Sequence, residues 1–286
     1  MTEEPLSFRQ VWDDRVEVGA GGAFATYRFG PALPKPCVHP LVTPRGHVLS
    51  GFEMSDHVWH RGLWFTFKFV NGTNFWEEHA PFGVQVSRSQ PVGELLGPRT
   101  LRVTHRLTWT SEATGAAIDE SRRLMFRGNG VIDWATQLRA LRDLTLDRTP
   151  YTTWGGYGGL AFRAARELHD VSFLLPGGET VTALAGQAHP WTVMQAKVDG
   201  GAERHVSIGM IDDPRNPRSP SPWYCKSGNG FSYMNPAMLF HEPMSLKEGD
   251  ALRLRYRVMY RDGLWTADEF AAAAEQVGRT SAEEDA

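Results

Sequence analysis

The sequence predicts an all-β protein: one large antiparallel β-sandwich with a single C-terminal helix. Short segments alternate apolar and polar residues at period two along most of the chain. Turns rich in glycine or proline punctuate those segments. Only one stretch, near the end, carries the start and stop signals of a helix.

The alternation is clearest in three places. Leu101, Val103, His105, Leu107 and Trp109 share one side of a strand; Val131–Leu138 repeats the pattern. Leu252, Leu254, Tyr256 and Val258 point one way while Arg253, Arg255 and Arg257 point to water, as do Arg102 and Arg106. Further strands are expected at Leu63–Val70 and His205–Ile211. Turns fall at Arg127–Gly130, Pro176–Gly178 and Lys247–Asp250. Thr266 and Glu269 make a capping box for a helix over Thr266–Gly278, and the polar tail 279–286 is expected to fray. A boundary near Asp147–Pro150 would split the chain. The shared alternation on both sides instead favours a single domain over 1–286, with its core from about 8 to 265.

Composition bounds the function. The chain has 286 residues and a net charge of −3, which offers no basic face for nucleic acid. No run nears the roughly 18 apolar residues of a membrane span, and MTEEPLSFRQ lacks a signal-peptide core. Cys37 and Cys225 are the only cysteines, which fits a cytoplasmic protein without a disulfide framework. Ten tryptophans are many for this length; a ring-binding site and a large sandwich core are the two explanations.

The span His39–His79 holds five of the ten histidines, with Asp56, Glu77 and Glu78 and the tryptophans Trp59, Trp64 and Trp76. Imidazole titrates near neutrality, carboxylates orient it, and indoles give flat apolar walls, so the site is expected here. On a bend into the following strand, His57 and His60 can converge despite their three-residue spacing. They are the candidate catalytic bases or acids, with Glu77 as partner. His39, His47, His57, His60 and His79 are candidate ligands for a divalent metal, although their spacing matches no strong metal motif. No nucleotide cofactor is expected.

Two other segments join this site by their chemistry. Four glycines in the five positions Gly155–Gly159 allow a sharp bend or close ligand approach, and Tyr157 and Arg163 add a donor and a carboxylate clamp. No phosphate-loop ending follows them. The loop after His205–Ile211 has four prolines in Pro214–Pro222, so it is extended and stiff. Its Asp213, Asn216 and Trp223 suit a hydroxyl-rich ligand. Arg61, Trp64 and Trp76 complete the expected binding set.

Together these segments resemble a family of bacterial proteins of unknown function labelled the PmoA family, or methane-oxygenase-like. The resemblance runs from about Tyr27 to Arg261. It rests on Lys35-Pro36…His39-Pro40-Leu41…Thr43-Pro44…Gly46-His47, on Asp56-His57…His60-Arg61-Gly62-Leu63-Trp64, and on Val70-Asn71-Gly72…Phe75-Trp76-Glu77. Gly158-Gly159-Leu160…Arg163 and Asp213-Pro214…Asn216-Pro217-Arg218…Pro220…Pro222-Trp223 complete it. The resemblance implies a sandwich of the kind used by sugar mutarotases, and no catalytic residues. The oxygenase label fits poorly, because the membrane subunit it evokes needs spans this chain lacks. The leading expectation is a cytoplasmic enzyme acting on a small carbohydrate, plain or oxidised, by acid–base catalysis: ring opening, epimerisation or elimination. A metal-dependent sugar enzyme and a non-catalytic carbohydrate-binding module are the alternatives.

Overall fold

A computed structural model describes residues 5–20, 23–128, 130–150, 155–199 and 204–284. Asn129 of the first expected turn and Trp154, which precedes the glycine segment, lie outside them. Every strand pair among the described residues is antiparallel, and two large sheets dominate. The nine-stranded sheet runs from the edge strand Ser7–Val11 through Cys37–Val42, Leu63–Thr66, Gly159–Arg163, Phe231–Pro236 and Pro222–Gly228 to Ala183–Ala188. The ten-stranded sheet centres on Thr100–Ser111, Gly115–Arg127, Val131–Ala140, Ala251–Asp262 and His205–Asp212. Strands from before and after Asp147–Pro150 pair directly: Leu63–Thr66 with Gly159–Arg163, and Val131–Ala140 with Ala251–Asp262. This is the antiparallel β-sandwich that the alternation predicts.

The main core lies between the sheets. Leu101, Val103, Leu107 and Trp109 are buried on one side, and Leu63, Phe65, Leu160, Phe162, Trp223 and Cys225 on the other. His105 also points inward, as the period-two reading places it. There it is held by Tyr27 Oη at 2.7 Å and Ser87 Oγ at 3.0 Å. Three of the ten tryptophans, Trp109, Trp134 and Trp223, belong to this core. Trp191 and Trp265 clamp the helix, so core packing accounts for half of them.

The expected strand Leu63–Val70 is divided into Leu63–Thr66 and Phe69–Val70, the second joining a small four-stranded sheet. The C-terminal helix spans Ala267–Glu284 and is longer than expected. Its capping box forms: Thr266 N–H donates to Glu269 Oε2 at 3.0 Å, and Glu269 N–H to Thr266 Oγ1 at 3.3 Å. Gly278 does not end it, because one glycine costs a helix only about 1 kcal/mol and the polar residues after it are helix-compatible. The helix therefore runs through Gly278 to Glu284. Phe270 anchors the helix between Trp191 and Trp265, at ring distances of 5.0 and 5.1 Å. Gly209 makes room: a Cβ there would stand 2.3 Å from the Phe270 ring. Among the described residues, no helix is long and apolar enough to cross a membrane.

Candidate functional site

Side chains alternate across each strand, so the residues between those facing the main core emerge on the outer face of the nine-stranded sheet. Trp64, Ala161 and Tyr233 are such residues; with Cys37 and Trp76 they form a separate apolar cluster. Trp59, Tyr157, Tyr224 and Phe231 pack on it. Above it the two-stranded hairpin Phe52–Met54 and His57–Arg61 folds across the sheet. Gly62 makes that turn possible. Its φ is +71°, and a Cβ would lie 2.6 Å from the Val38 carbonyl oxygen.

The hairpin, this face and the strand pair Pro222–Gly228 and Phe231–Pro236 enclose a cleft of about 350 Å³. Asp56, His57 and His60 line one wall; Lys68, Glu77 and Tyr157 line another. Trp59, Trp76, Tyr224, Phe231 and Tyr233 supply aromatic surface, and Lys226 and Asn229 also border the cleft.

His57 and His60 do converge: their rings stack at 4.6 Å. Their environments differ. His57 Nδ1 is 3.1 Å from Asp56 Oδ2. Burial works against the Asp56 charge, but hydrogen bonds from Arg163, His57 and Arg166 outweigh it and hold this carboxyl well below the usual range. An ionised Asp56 can only accept, so Nδ1 of His57 carries its proton and Nε2 is the free acceptor. His60 is 4% exposed and packs on Trp64, Trp76 and Tyr233. Arg163 Nη1 stands 3.3 Å from His60 Nδ1. A guanidinium only donates, which makes this nitrogen an acceptor and His60 neutral. Burial, then the positive charge that His57 carries whenever it is protonated, and the Arg163 charge keep its pKa well below the ordinary histidine value.

Glu77 is tied down on both oxygens. Lys68 Nζ and Tyr157 Oη, the latter at 3.0 Å, donate to Oε1, and Asn74 Nδ2 donates to Oε2 at 2.8 Å. Lys68 also reaches Tyr157 Oη at 2.9 Å. Burial alone would raise the Glu77 pKa; the Lys68, Asn74 and Tyr157 hydrogen bonds overcome it and lower it. Burial, then the Glu77 charge, push Tyr157 far above its usual value, so it stays protonated. This wall is a fixed anion–cation–phenol cluster.

Other expected site residues lie elsewhere. Trp223 faces the main core, with Nε1 on the His189 carbonyl at 2.7 Å. Asp213 is paired with Arg215, and Asn216 is bound to Asp212 and to the Arg255 backbone. The proline loop therefore braces itself against the ten-stranded sheet and does not border the cleft. Trp64 lies beneath the cleft and is fully covered. Arg61 is held by Glu53 and Glu78 instead of facing a ligand, and Arg163 positions Asp56 and His60 from behind. The glycine segment delivers Tyr157, but its glycines do not line the cleft. Lys68, Tyr224, Lys226, Asn229, Phe231 and Tyr233 were not among the expected residues. For Tyr224 the signal was present: it is the residue next to Trp223, on the opposite face of the same strand.

The metal candidates are dispersed. His39 stacks on Phe52 at 4.9 Å and meets Ser50 Oγ at 2.9 Å, bordering a different cleft with His47. His79 packs on the edge of Trp59. Among the described residues, no three His, Cys, Asp or Glu side chains are placed to hold one metal ion.

The buried histidines predict a pH dependence of stability. Burial lowers His105 to about 3 and His60 well below 6.5. A depressed folded pKa means that the unfolded chain takes the proton first as pH drops. Stability is therefore full above about 6.5 and falls on acidification, by up to about 1.4 kcal/mol per pH unit for each such histidine. Urea midpoints should decline from pH 7 to pH 5, before the carboxylates titrate. A flat profile would mean that both imidazoles protonate in place.

A family model matches residues 15–275 and is described as "Family of unknown function (DUF6807)". The chain belongs to this family. The methane-oxygenase-like label finds no support in these comparisons. No curated protein matches the chain. Among solved structures, it is similar to a galactose 1-epimerase from Lactobacillus acidophilus NCFM at 9% identity and a TM-score of 0.46, covering 91% of this chain and 99% of that one. A putative aldose 1-epimerase from Klebsiella pneumoniae subsp. pneumoniae gives 9% identity and 0.46, covering 93% and 83%. The heparan sulfate lyase HepC mutant from Pedobacter heparinus gives 9% and 0.45, covering 93% of this chain but 36% of the lyase.

Proposed function

We propose that the cleft binds a carbohydrate and moves protons on it by general acid–base catalysis, in a ring opening, an epimerisation or an elimination. The observation that carries this reading is the placement of two proton-handling groups around one aromatic-lined cleft. The Asp56–His57 pair is one, and the Lys68–Glu77–Tyr157 cluster the other. His57, partly exposed and oriented by an ionised carboxylate, is the base. Lys68, whose ammonium keeps a third N–H beyond those given to Glu77 and Tyr157, supplies positive charge and a proton where negative charge develops. Glu77, ionised and saturated with donors, holds Lys68 and Tyr157 in place instead of giving up a proton itself. His60 fixes the plane of the His57 ring from below. Trp59, Trp76 and Phe231 give apolar faces of the kind that pack on a sugar ring. The setting we infer is cytoplasmic, where Cys37 and Cys225, free and buried, would stay reduced.

Proton NMR of candidate hexoses, keto-sugars and sugar acids in heavy water, with catalytic amounts of protein, tests the reading. Accelerated anomer exchange, loss of a C–H signal or a new vinyl signal would each identify one of the three reactions. Saturation-transfer contacts to a sugar without any such change would make the protein a binding module.

A further inference from the structure

Donors and acceptors around the cleft are unequally used. All four carboxylate oxygens that line it already accept hydrogen bonds. Asp56 Oδ1 accepts from Arg166 at 3.1 Å and Oδ2 from Arg163 at 2.7 Å; Glu77 Oε1 accepts from Tyr157 and Oε2 from Asn74. The donors are not used up. Tyr233 is 2% exposed and lines the cleft, yet its hydroxyl has no hydrogen-bond partner among the described residues. The Lys226 ammonium makes no ion pair or hydrogen bond among the described residues, whereas Lys68, Arg163 and Arg166 are each bound to a carboxylate. Asp56 and Glu77 thus face four cations: Lys68, Arg163, Arg166 and Lys226. Behind them, Glu53 and Glu78 offset Lys35 and Arg61.

A neutral sugar hydroxyl can accept from these donors, but it adds an O–H that needs an acceptor in turn and brings no charge to meet Lys226. A carboxylate brings acceptors only and a full negative charge. We infer that the ligand of this cleft is a sugar acid whose carboxylate is read by Lys226, with Tyr233 donating to an oxygen deeper in the cleft. Lys226 and Tyr224 alternate on the strand Pro222–Gly228 and face the cleft together, which places the charge beside an aromatic ring. This inference rests on the carbohydrate reading above and narrows it to an anionic substrate class.

Isothermal calorimetry on the whole protein tests it with D-glucuronate and D-galacturonate, their methyl esters, and glucose and galactose. A charged hydrogen bond is worth roughly 10-fold or more in affinity. At least one free acid should therefore bind about 10-fold more tightly than its ester and its parent sugar. Rising salt should shrink that margin. Lys226→Met should erase it, and Lys226→Arg should keep it. Equal binding of acid, ester and parent sugar would overturn the inference but leave the carbohydrate site standing. A preference that survives Lys226→Met would overturn the assignment to Lys226. No binding by any of the six would overturn both readings. The acid-to-ester ratio of the unaltered protein decides the matter even if a variant fails to fold.

Discussion

Changing His57 to Gln should lower turnover by about 10²–10⁴-fold, the usual contribution of a general base, and leave the protein folded. Gln keeps a donor for Asp56 but cannot take a proton. His57 is only partly buried, so its loss opens no cavity in the main core. His60→Gln should behave differently. That ring packs on Trp64, Trp76 and Tyr233 and accepts from Arg163, so its replacement should cost stability as well as rate. Glu77→Gln should lower turnover while keeping the fold, because its amide oxygen can still accept from Lys68 and Tyr157 but the charge that fixes Lys68 and the acceptor for Asn74 are lost. The measurements are turnover per folded molecule and a urea midpoint for each variant. If His57→Gln retains more than about a tenth of the wild-type rate, His57 is not the base.

The largest stability effect is expected far from the cleft, at Arg122. Its side chain and that of Glu120 are wholly buried between the sheets and paired at 2.7 Å. Glu120 also accepts from Trp109 Nε1 and Thr136 Oγ1, both at 2.7 Å, and Arg122 donates to Gln85 Oε1 at 3.0 Å. The Arg122 guanidinium lies 4.8 Å from the centre of the Trp134 ring. Arg122→Met leaves an uncompensated buried carboxylate, which costs about 3–5 kcal/mol. For a chain of this size that corresponds to a fall in Tm of roughly 10 °C. Removing both charges is a different case, because replacing a whole buried pair by apolar residues is often neutral. The double variant Glu120→Met/Arg122→Met should therefore be more stable than Arg122→Met alone. A double variant that is the weaker of the two would show that the pair itself contributes net stability.

That ion pair also marks where reading along the chain stops. Glu120 and Arg122 lie on the inward side of the strand Gly115–Arg127, but isolated charges at period two read most simply as a solvent face. Only the partner strands turn them into a satisfied pair. The capping box of Thr266 and Glu269 needed no such help, because both partners lie within one turn. The stretch around His57 and His60 was legible for a similar reason. Its imidazoles, carboxylates and indoles are close in sequence, so they come together locally, while Arg163, Arg166 and Tyr157 from distant segments set their protonation.

Lys68 apart, the rest of the cleft comes from Tyr157 onward, far along the chain, and the contribution of those residues depends on strand parity. Trp223 and Tyr224 are neighbours, and either could have faced the ligand; a one-residue shift exchanges the two faces of a strand. Pairing with Phe231–Pro236 settles the matter, turning Trp223 into the core and Tyr224, with Lys226, to the cleft. The sequence by itself determined the sandwich class, the start of the terminal helix and the bend that lets His57 and His60 converge, because periodicity, capping and short-range spacing are local properties of the chain. Tertiary structure alone decided which arginines pair with carboxylates, which aromatics reach the cleft and which histidines stay apart. Those outcomes follow from the register between strands distant in sequence, which no local pattern encodes.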